Sequence, residues 1–385
     1  MTNSNGWPQV ALAEIVTPVQ RSVPVVPGQS YRTLGVKWWG EGAYERKTID
    51  GSETAVKTLN EVQEDDLIIN KIWVRHGSVA VVPPEVAGCV GSNEFPTFEC
   101  RRDCVLPRWL HWYSKARELW QKCDALSQGS SGKNRIRPEK FLTIKVPLPP
   151  LDEQERIVAR INHLAQRIEE AQGLVHQSDK LSDSLLMAIY HEIVHGAPRL
   201  PFGDVAPLTR RPAEVDPSCE YPQVSVRSFG RGTFHNPPLH GCDITWQKPH
   251  LVKDGDILVS NIKAWEGAIA VAGPADDGRY GSHRYLTFVP VEGVATASFL
   301  CFHLLSPEGL HCVGEASPGS ADRNRTLRSK KMLEIEVPVP AFTEQQRFGR
   351  LLARVDAARQ IREDAAKSRT ALLPSILDRA FRGEL

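Results

Sequence analysis

The chain has 385 residues, room for two or three domains, and a hydrophobic fraction of 41%, which excludes a wholly disordered polypeptide. Lys plus Arg number 47 against 46 Asp plus Glu, a formal net charge of +1, so any nucleic-acid partner must be held by local basic patches. No apolar run approaches the roughly 18 residues that span a bilayer, and residues 1–10 lack the layout of a secretory leader, so a cytoplasmic chain with free thiols at its eight cysteines is expected. Cys100 and Cys104 stand at knuckle spacing, but no second pair follows, and no metal site is expected.

In chain order, Leu67–Ile69 and Val79–Val82 read as strands flanking a loop, and Trp109 to Trp120 as a short helix. The run Val146-Pro-Leu-Pro-Pro150 marks a boundary, because proline cannot pair in a central strand and often opens a helix. Beyond it Ile157, Ile161, Leu164, Ile168, Ala171 and Val175 alternate four and three apart, the stripe of a coiled-coil seam. Asp152 is the expected N-cap and Gly196 the expected stop. The grammar then starts again: strands at Ile257–Val259 and Ile269–Val271, a helix at Ser298–Leu305, and a boundary at Val337-Pro-Val-Pro340. A second stripe follows at Phe348, Leu352, Val355, Leu372, Leu373, Ile376 and Leu377, between the expected cap Thr343 and stop Gly383. Kinks are expected at Pro374 and, more weakly, at Gly173. Some 40 helical residues would make a rod of roughly 60 Å.

The second half is a copy of the first. Displaced by 190 positions, Tyr31 meets Tyr221, Lys37 meets Arg227, Gly40 and Gly42 meet Gly230 and Gly232, and Asp66 meets Asp256. Asn134-Arg135 meets Asn324-Arg325, and after one inserted residue Glu153-Gln154 meets Glu344-Gln345. A period this long denotes a tandem pair of domains rather than a solenoid. The expected organisation is a domain at 1–150, a helix at 151–196, a domain at 197–340 and a helix at 341–385. Residues 151–196 carry four basic and eight acidic side chains, and 341–385 nine basic and six acidic, so the two helices favour pairing with each other. The fold class is α+β: two tandem α/β domains whose helices pair as an antiparallel coiled coil with pseudo-twofold symmetry.

The segment Pro147-Leu-Pro-Pro-Leu-Asp-Glu-Gln-Glu-Arg-Ile157 and its echo Pro338-Val-Pro-Ala-Phe-Thr-Glu-Gln-Gln-Arg-Phe348, with the duplicated strand-loop-strand units, resemble type I restriction-modification specificity subunits from end to end. The second copy departs at Ala341 and Phe348, which stand where the first has Pro150 and Ile157. The resemblance implies two target-recognition domains, each reading one half of a bipartite, asymmetric site in double-stranded DNA. It implies that the helices set the spacing and dock partners through Ile157, Ile161, Leu164, Ile168, Phe348, Leu352 and Val355. Those partners would be two methyltransferase subunits and the restriction/translocase subunits. S-adenosylmethionine, ATP and Mg²⁺ would sit on them, with no cofactor on this chain.

Base edges and phosphates call for cationic and polar side chains on loops. The first domain offers Lys37, Lys71, Trp73, Arg75 and His76, and the second Arg227, Asn261, Lys263 and Trp265. The glycine-rich loops around 129–135 and 319–325 add Lys133, Arg135, Arg323 and Arg325.

No catalytic residue is assigned. His235-Asn-Pro-Pro-Leu239 is similar to an amino-methyltransferase loop, but Leu239 replaces the stacking aromatic and Glu45–Ile49 lacks the motif, so a turn is expected. Asp256 and Lys263 suggest a nuclease metal site, yet Asp66 and Lys71 do not keep the spacing, so an acid opening a strand is the reading. His191 and His195 read as surface histidines. A specificity subunit of a type IIB-like system, a coiled-coil scaffold that never touches DNA, and a self-sufficient enzyme such as an adenine methyltransferase built around Asn236 are the alternatives.

Overall fold

A computed structural model describes residues 6–127, 134–245, 248–319 and 325–385. The chain divides into two compact units, Met1–Val175 with Arg362–Leu385, and His176–Ile361. Both divisions fall inside the helices, so each unit contains a globular domain with a stretch of each helical segment.

In the first unit Gln9–Ala11 pairs antiparallel with Lys145–Pro147, bringing the start of the domain to its end. One sheet runs in the order Val16–Val19, Thr97–Cys100, Leu67–Ile69, Val79–Val81, entirely antiparallel. A second sheet runs Ser22–Pro24, Thr58–Glu61, Val90–Gly91, Ser30–Val36, Ala43–Asp50. Leu67, Ile69, Val79 and Val81 form part of one core, while Ile68 and Ala80 of the same strands, with Val82 just beyond, belong to another. Strands buried on both faces read as unbroken apolar runs, which is why these two stood out in the sequence.

The second unit repeats this design. Arg199–Pro201 pairs with Glu336–Pro338, and a sheet runs Ile269–Val271, Ile257–Ser260, Tyr285–Phe288. Its other sheet runs Thr233–His240, Glu220–Val226, Tyr280–Gly281, His250–Leu251. The first unit's outer strands survive only as the single bridges Leu208–Phe288 and Pro212–His250. The cores conserve burial and apolar character at matched positions. Leu12, Phe98 and Phe141 of the first correspond to Phe202, Phe288 and Met332 of the second, each exposed by no more than 1%.

Polar groups pin the same points in both copies. Arg21 donates two hydrogen bonds, of 2.6 and 3.1 Å, to the buried carboxylate of Asp66, and Arg211 does the same at the same distances to Asp256. The Tyr31 hydroxyl donates to Pro24 O and accepts from Val26 N–H, as Tyr221 does with Glu214 and Asp216. Asp256 therefore opens its strand as a structural ion-pair partner, in accord with its sequence reading.

The Glu-Gln signature gains a physical meaning here. The Gln154 amide, fully buried, accepts from Leu106 N–H and donates to Cys104 O and Pro149 O. Gln345 makes the three equivalent bonds to Thr296, Val294 and Pro340. Each glutamine uses one acceptor and two donor bonds to rivet the first helical turn to its domain.

The central helix is continuous over Leu151–Val194. The C-terminal segment comprises Phe342–Thr370 and Leu372–Arg382. The interruption lies one turn before Pro374, whose missing N–H and ring exclude the bond to the Thr370 carbonyl. Gly196 and Gly383 stop the helices with positive φ of 72° and 78°. Inside the second unit, Asp183 pairs with Arg359 and Tyr190 packs near Phe348, so the helices run antiparallel. Inside the first, Ile157, Val158 and Ile161 share a core with Leu377, Ala380 and Phe381, and the Arg156 guanidinium donates to Leu385 O.

Four local expectations are corrected. The helix expected over Trp109 to Trp120 is two, Pro107–Tyr113 and Arg117–Leu126; the indole of Trp120 binds the Ser114 carbonyl freed by the break. The helix expected at Ser298–Leu305 is present as Ala297–Leu305, and a second, Pro307–Glu315, capped by Ser306, follows it. The long helices begin at Leu151 and Phe342, so Asp152 and Thr343 lie in first turns rather than at caps. Asn236-Pro-Pro238 is part of the strand Thr233–His240, not a turn: this is an edge strand, where proline costs no ladder bond, and its partner carries an irregularity between Tyr221 and Gln223. Gly173 does not interrupt its helix, since a glycine costs a helix only about 1 kcal/mol.

Among the described residues no helix is long and apolar enough to cross a membrane. Burial pushes the thiols of Cys100, Cys123 and Cys301 up to about 12, which leaves them protonated packing groups.

Candidate nucleic-acid interface

In each domain three loops converge. The first turns between the strands flanking residue 70 or 260. In the first domain Asn70 Oδ1 accepts from Ile72 and Trp73 N–H, and a short 3-10 turn, Val74–His76, leads into Gly77 at φ 79°. A Cβ on Gly77 would lie 2.7 Å from the Trp120 ring and 2.9 Å from Gly40 N, so no other residue fits. The second domain repeats this turn at Ala264–Glu266 and Gly267.

The second loop is the hairpin tip after Ser30–Val36 or Glu220–Val226, closed by Lys37 N–H to Gly42 O and by Arg227 N–H to Gly232 O. Trp39 N–H donates to His76 O and Gly40 N–H to Gly77 O; Phe229 and Gly230 donate equivalently to Glu266 and Gly267. The third loop is the segment around 135 or 325, held where Ile136 N–H donates to Lys71 O and Leu327 N–H to Asn261 O.

The structure therefore brings most of the sequence-selected residues together within their own domains. Lys37 is exposed, its ammonium 5.5 Å from the Tyr44 ring centre. Lys71, Arg75 and His76 are half-buried on the strand-loop-strand turn, and Arg135 faces Glu94 at 3.3 Å. In the second domain Arg227 lies over Phe234 and donates to Thr233 O. Lys263 and Arg325 frame Trp265 at 5.4 and 4.9 Å from its centre. Asn261 is half-buried, and its Oδ1 has no partner among the described residues. Hydrogen bonds from Lys263 and Ser228 hold the Glu266 carboxyl below its ordinary range, so it stays ionised and its charge is offset in place. Lys133 and Arg323 lie outside the described residues.

The helix residues expected from the sequence to set spacing and dock partners divide by burial. Ile157, Ile161 and Phe348 are buried, whereas Leu164, Ile168, Leu352 and Val355 are half-exposed.

Sequence reasoning passed over the aromatics of the hairpin tips. Trp39 and Phe229, at equivalent positions, have φ of 58° and 64° and are 60% and 70% exposed. Among the described residues the remaining non-glycine with positive φ is Asp65, a type that tolerates it. The left-handed conformation costs a tryptophan or phenylalanine roughly 1–2 kcal/mol. The available signal was an aromatic directly preceding each matched Gly-x-Gly.

Comparison with known proteins agrees with this architecture. Residues 29–174 match the type I restriction modification DNA specificity domain. The chain is similar to the EcoKI specificity subunit of Escherichia coli (strain K12), with 21% identity over 374 residues, covering 86% of this chain and 77% of that protein. Its fold resembles the crystal structure of the HsdS subunit from Thermoanaerobacter tengcongensis, with a TM-score of 0.61 and 20% identity over 100% and 99% of the two chains. It also resembles a chain from a structural study of complex assembly and conformational transition in the type I R-M system, with a TM-score of 0.69 and 19% identity over the whole of both. Residues 29–174 thus carry the sequence signature of that DNA specificity domain, and the chain as a whole is similar in sequence and fold to type I restriction-modification specificity subunits.

Proposed function

We propose that this chain is the non-catalytic, DNA-reading subunit of a type I restriction-modification complex. Each globular domain reads one half of a bipartite target in double-stranded DNA. The helical segments set the gap and dock the methyltransferase and restriction/translocase subunits, which carry S-adenosylmethionine, ATP and Mg²⁺. The observation that carries this reading is the duplicated three-loop surface: one backbone arrangement, held by equivalent hydrogen bonds, presents Lys37, Lys71 and Arg75 in one domain and Arg227, Asn261 and Lys263 in the other. A shared scaffold with different side chains suits two readers of different base pairs. The restriction-modification family match supplies the class of target.

The test is methylation mapping of a host genome with and without the chain, its methyltransferase partners present in both. A split motif that appears only with the chain supports the reading. Methylation of an unchanged motif without it would exclude the specificity role.

A further inference from the structure

The tips of the two hairpins make a stronger statement than their cations do. We infer that Trp39 and Phe229 are a matched pair of DNA wedges, each pressed by its domain against one base step of its half-site. The inference rests on the DNA-reading function proposed above and names side chains outside the sequence-selected set.

Three observations support it. The two aromatics occupy the same position in the repeat, both with φ in the left-handed region that their side chains disfavour, and both largely exposed. A strained and solvated ring retained in both copies contributes little to the fold, which would be better served by glycine there. Second, the tips are not loose. Each is tied by two backbone hydrogen bonds of 2.7–3.0 Å to the strand-loop-strand turn, and Trp39 lies 5.9 Å from His76 and 6.2 Å from Trp120, ring centre to ring centre. A wedge must be stiff, because unstacking a base step requires a side chain that does not yield.

Third, the surroundings suit a polyanion. Lys37 and Arg227 precede the tips by two residues, and the Arg231 guanidinium lies 5.6 Å from the Phe229 ring centre. The turn beneath carries Lys71 and Arg75 in one domain and Lys263 in the other. Glu94 and Glu266 are engaged by Arg135 and Lys263, Glu41 is the one carboxylate on either tip, and of Asp183 and Asp356, which line the groove beside Phe229, Asp183 is paired with Arg359. A ring framed by cations can stack on a base while its neighbours meet phosphates.

The complex of this chain with its methyltransferase subunits is titrated against its mapped target duplex, with 2-aminopurine placed at successive positions of each half-site. The wild-type complex should raise fluorescence at one step in each half. Trp39→Gly should abolish the rise in one half-site alone and reduce discrimination against a mutated version of that half about tenfold to a hundredfold. Phe229→Gly should do the same for the other half. Glycine is at ease at positive φ, so both variants should keep the wild-type thermal transition, and Trp39→Phe should retain the signal. Selective binding by the wild type without any fluorescence rise, or full discrimination by the glycine variants, overturns the wedge while leaving DNA reading intact. Glycine variants that lose the methyltransferase subunits instead would assign the tips to that partner and also overturn it. A wild-type complex with no sequence preference would defeat the underlying function.

Discussion

The hydroxyl of Tyr190, near the end of the central helix, lies 2.6 Å from Nδ1 of His303, which is fully buried in the second domain. The first domain answers with Phe381 of the C-terminal helix, whose ring centre is 4.9 Å from those of both Trp109 and Tyr113. Each domain thus receives an aromatic knob from the end of a helix, but only the second secures it with a hydrogen bond. Tyr190→Phe should cost about 1–3 kcal/mol, since it leaves a buried imidazole nitrogen unpaired. Urea unfolding measures the loss, and Tyr113→Phe in the first domain should cost less.

Burial lowers the His303 imidazole to about 4, with Glu308 and Arg199 acting in opposite senses around it. Above pH 6.5 neither the folded nor the unfolded chain protonates this ring; below it only the unfolded chain does. Stability from this group is therefore complete above pH 6.5 and is lost as pH falls toward 4, on the order of 3 kcal/mol in all. Comparing denaturation of the wild type with His303→Gln at pH 7 and pH 4.5 isolates it, and the variant should be the less acid-sensitive of the two.

Gln154→Glu and Gln345→Glu should each destabilise their own domain by about 3 kcal/mol or more. Either change sets a carboxylate against two backbone carbonyls that now receive amide protons, at a site closed to water. Hydrogen exchange should show the loosening at the first turn of the adjoining helix. Uniform protection there would refute the riveting role.

Arg21→Met leaves the Asp66 carboxylate buried without its cation and should cost about 3–5 kcal/mol. Combining it with Asp66→Leu should recover much of that, less the bond Asp66 accepts from Gln63 N–H. A double-mutant cycle read by urea unfolding checks this, and the Arg211–Asp256 pair should behave alike.

The sequence made the duplication, the strands at Leu67–Ile69 and Ile257–Ser260 and the stops at Gly196 and Gly383 readable, because each depends on local pattern. What escaped depended on partners distant in the chain. Arg21 finds Asp66 across 45 residues, and no periodicity announces that encounter. Asn236-Pro-Pro238 looked like a turn because proline's tolerance for an edge strand depends on what lies beside it. Lys37 was legible by charge, whereas Trp39 two residues later was not. Its importance lies in a backbone angle and an exposure that only the folded hairpin defines. Leu164 and Ile168 followed the seam pattern, yet remain half-exposed where Ile157 and Ile161 are buried.

Insertion of one helical turn within Gln166–Leu174 should lengthen the gap between the two half-sites or prevent assembly. Leu174 is 67% exposed there, so the insertion disturbs little core. Methylation mapping reads the gap, and an unchanged gap with normal assembly would refute the spacer role.

The central claim is independence of the two readers. Residues 1–145 are exchanged for the corresponding domain of another specificity subunit, and the methylated motif is mapped genome-wide. One half of the motif should change while the other half and the gap stay as they were; a change in both halves would contradict the account.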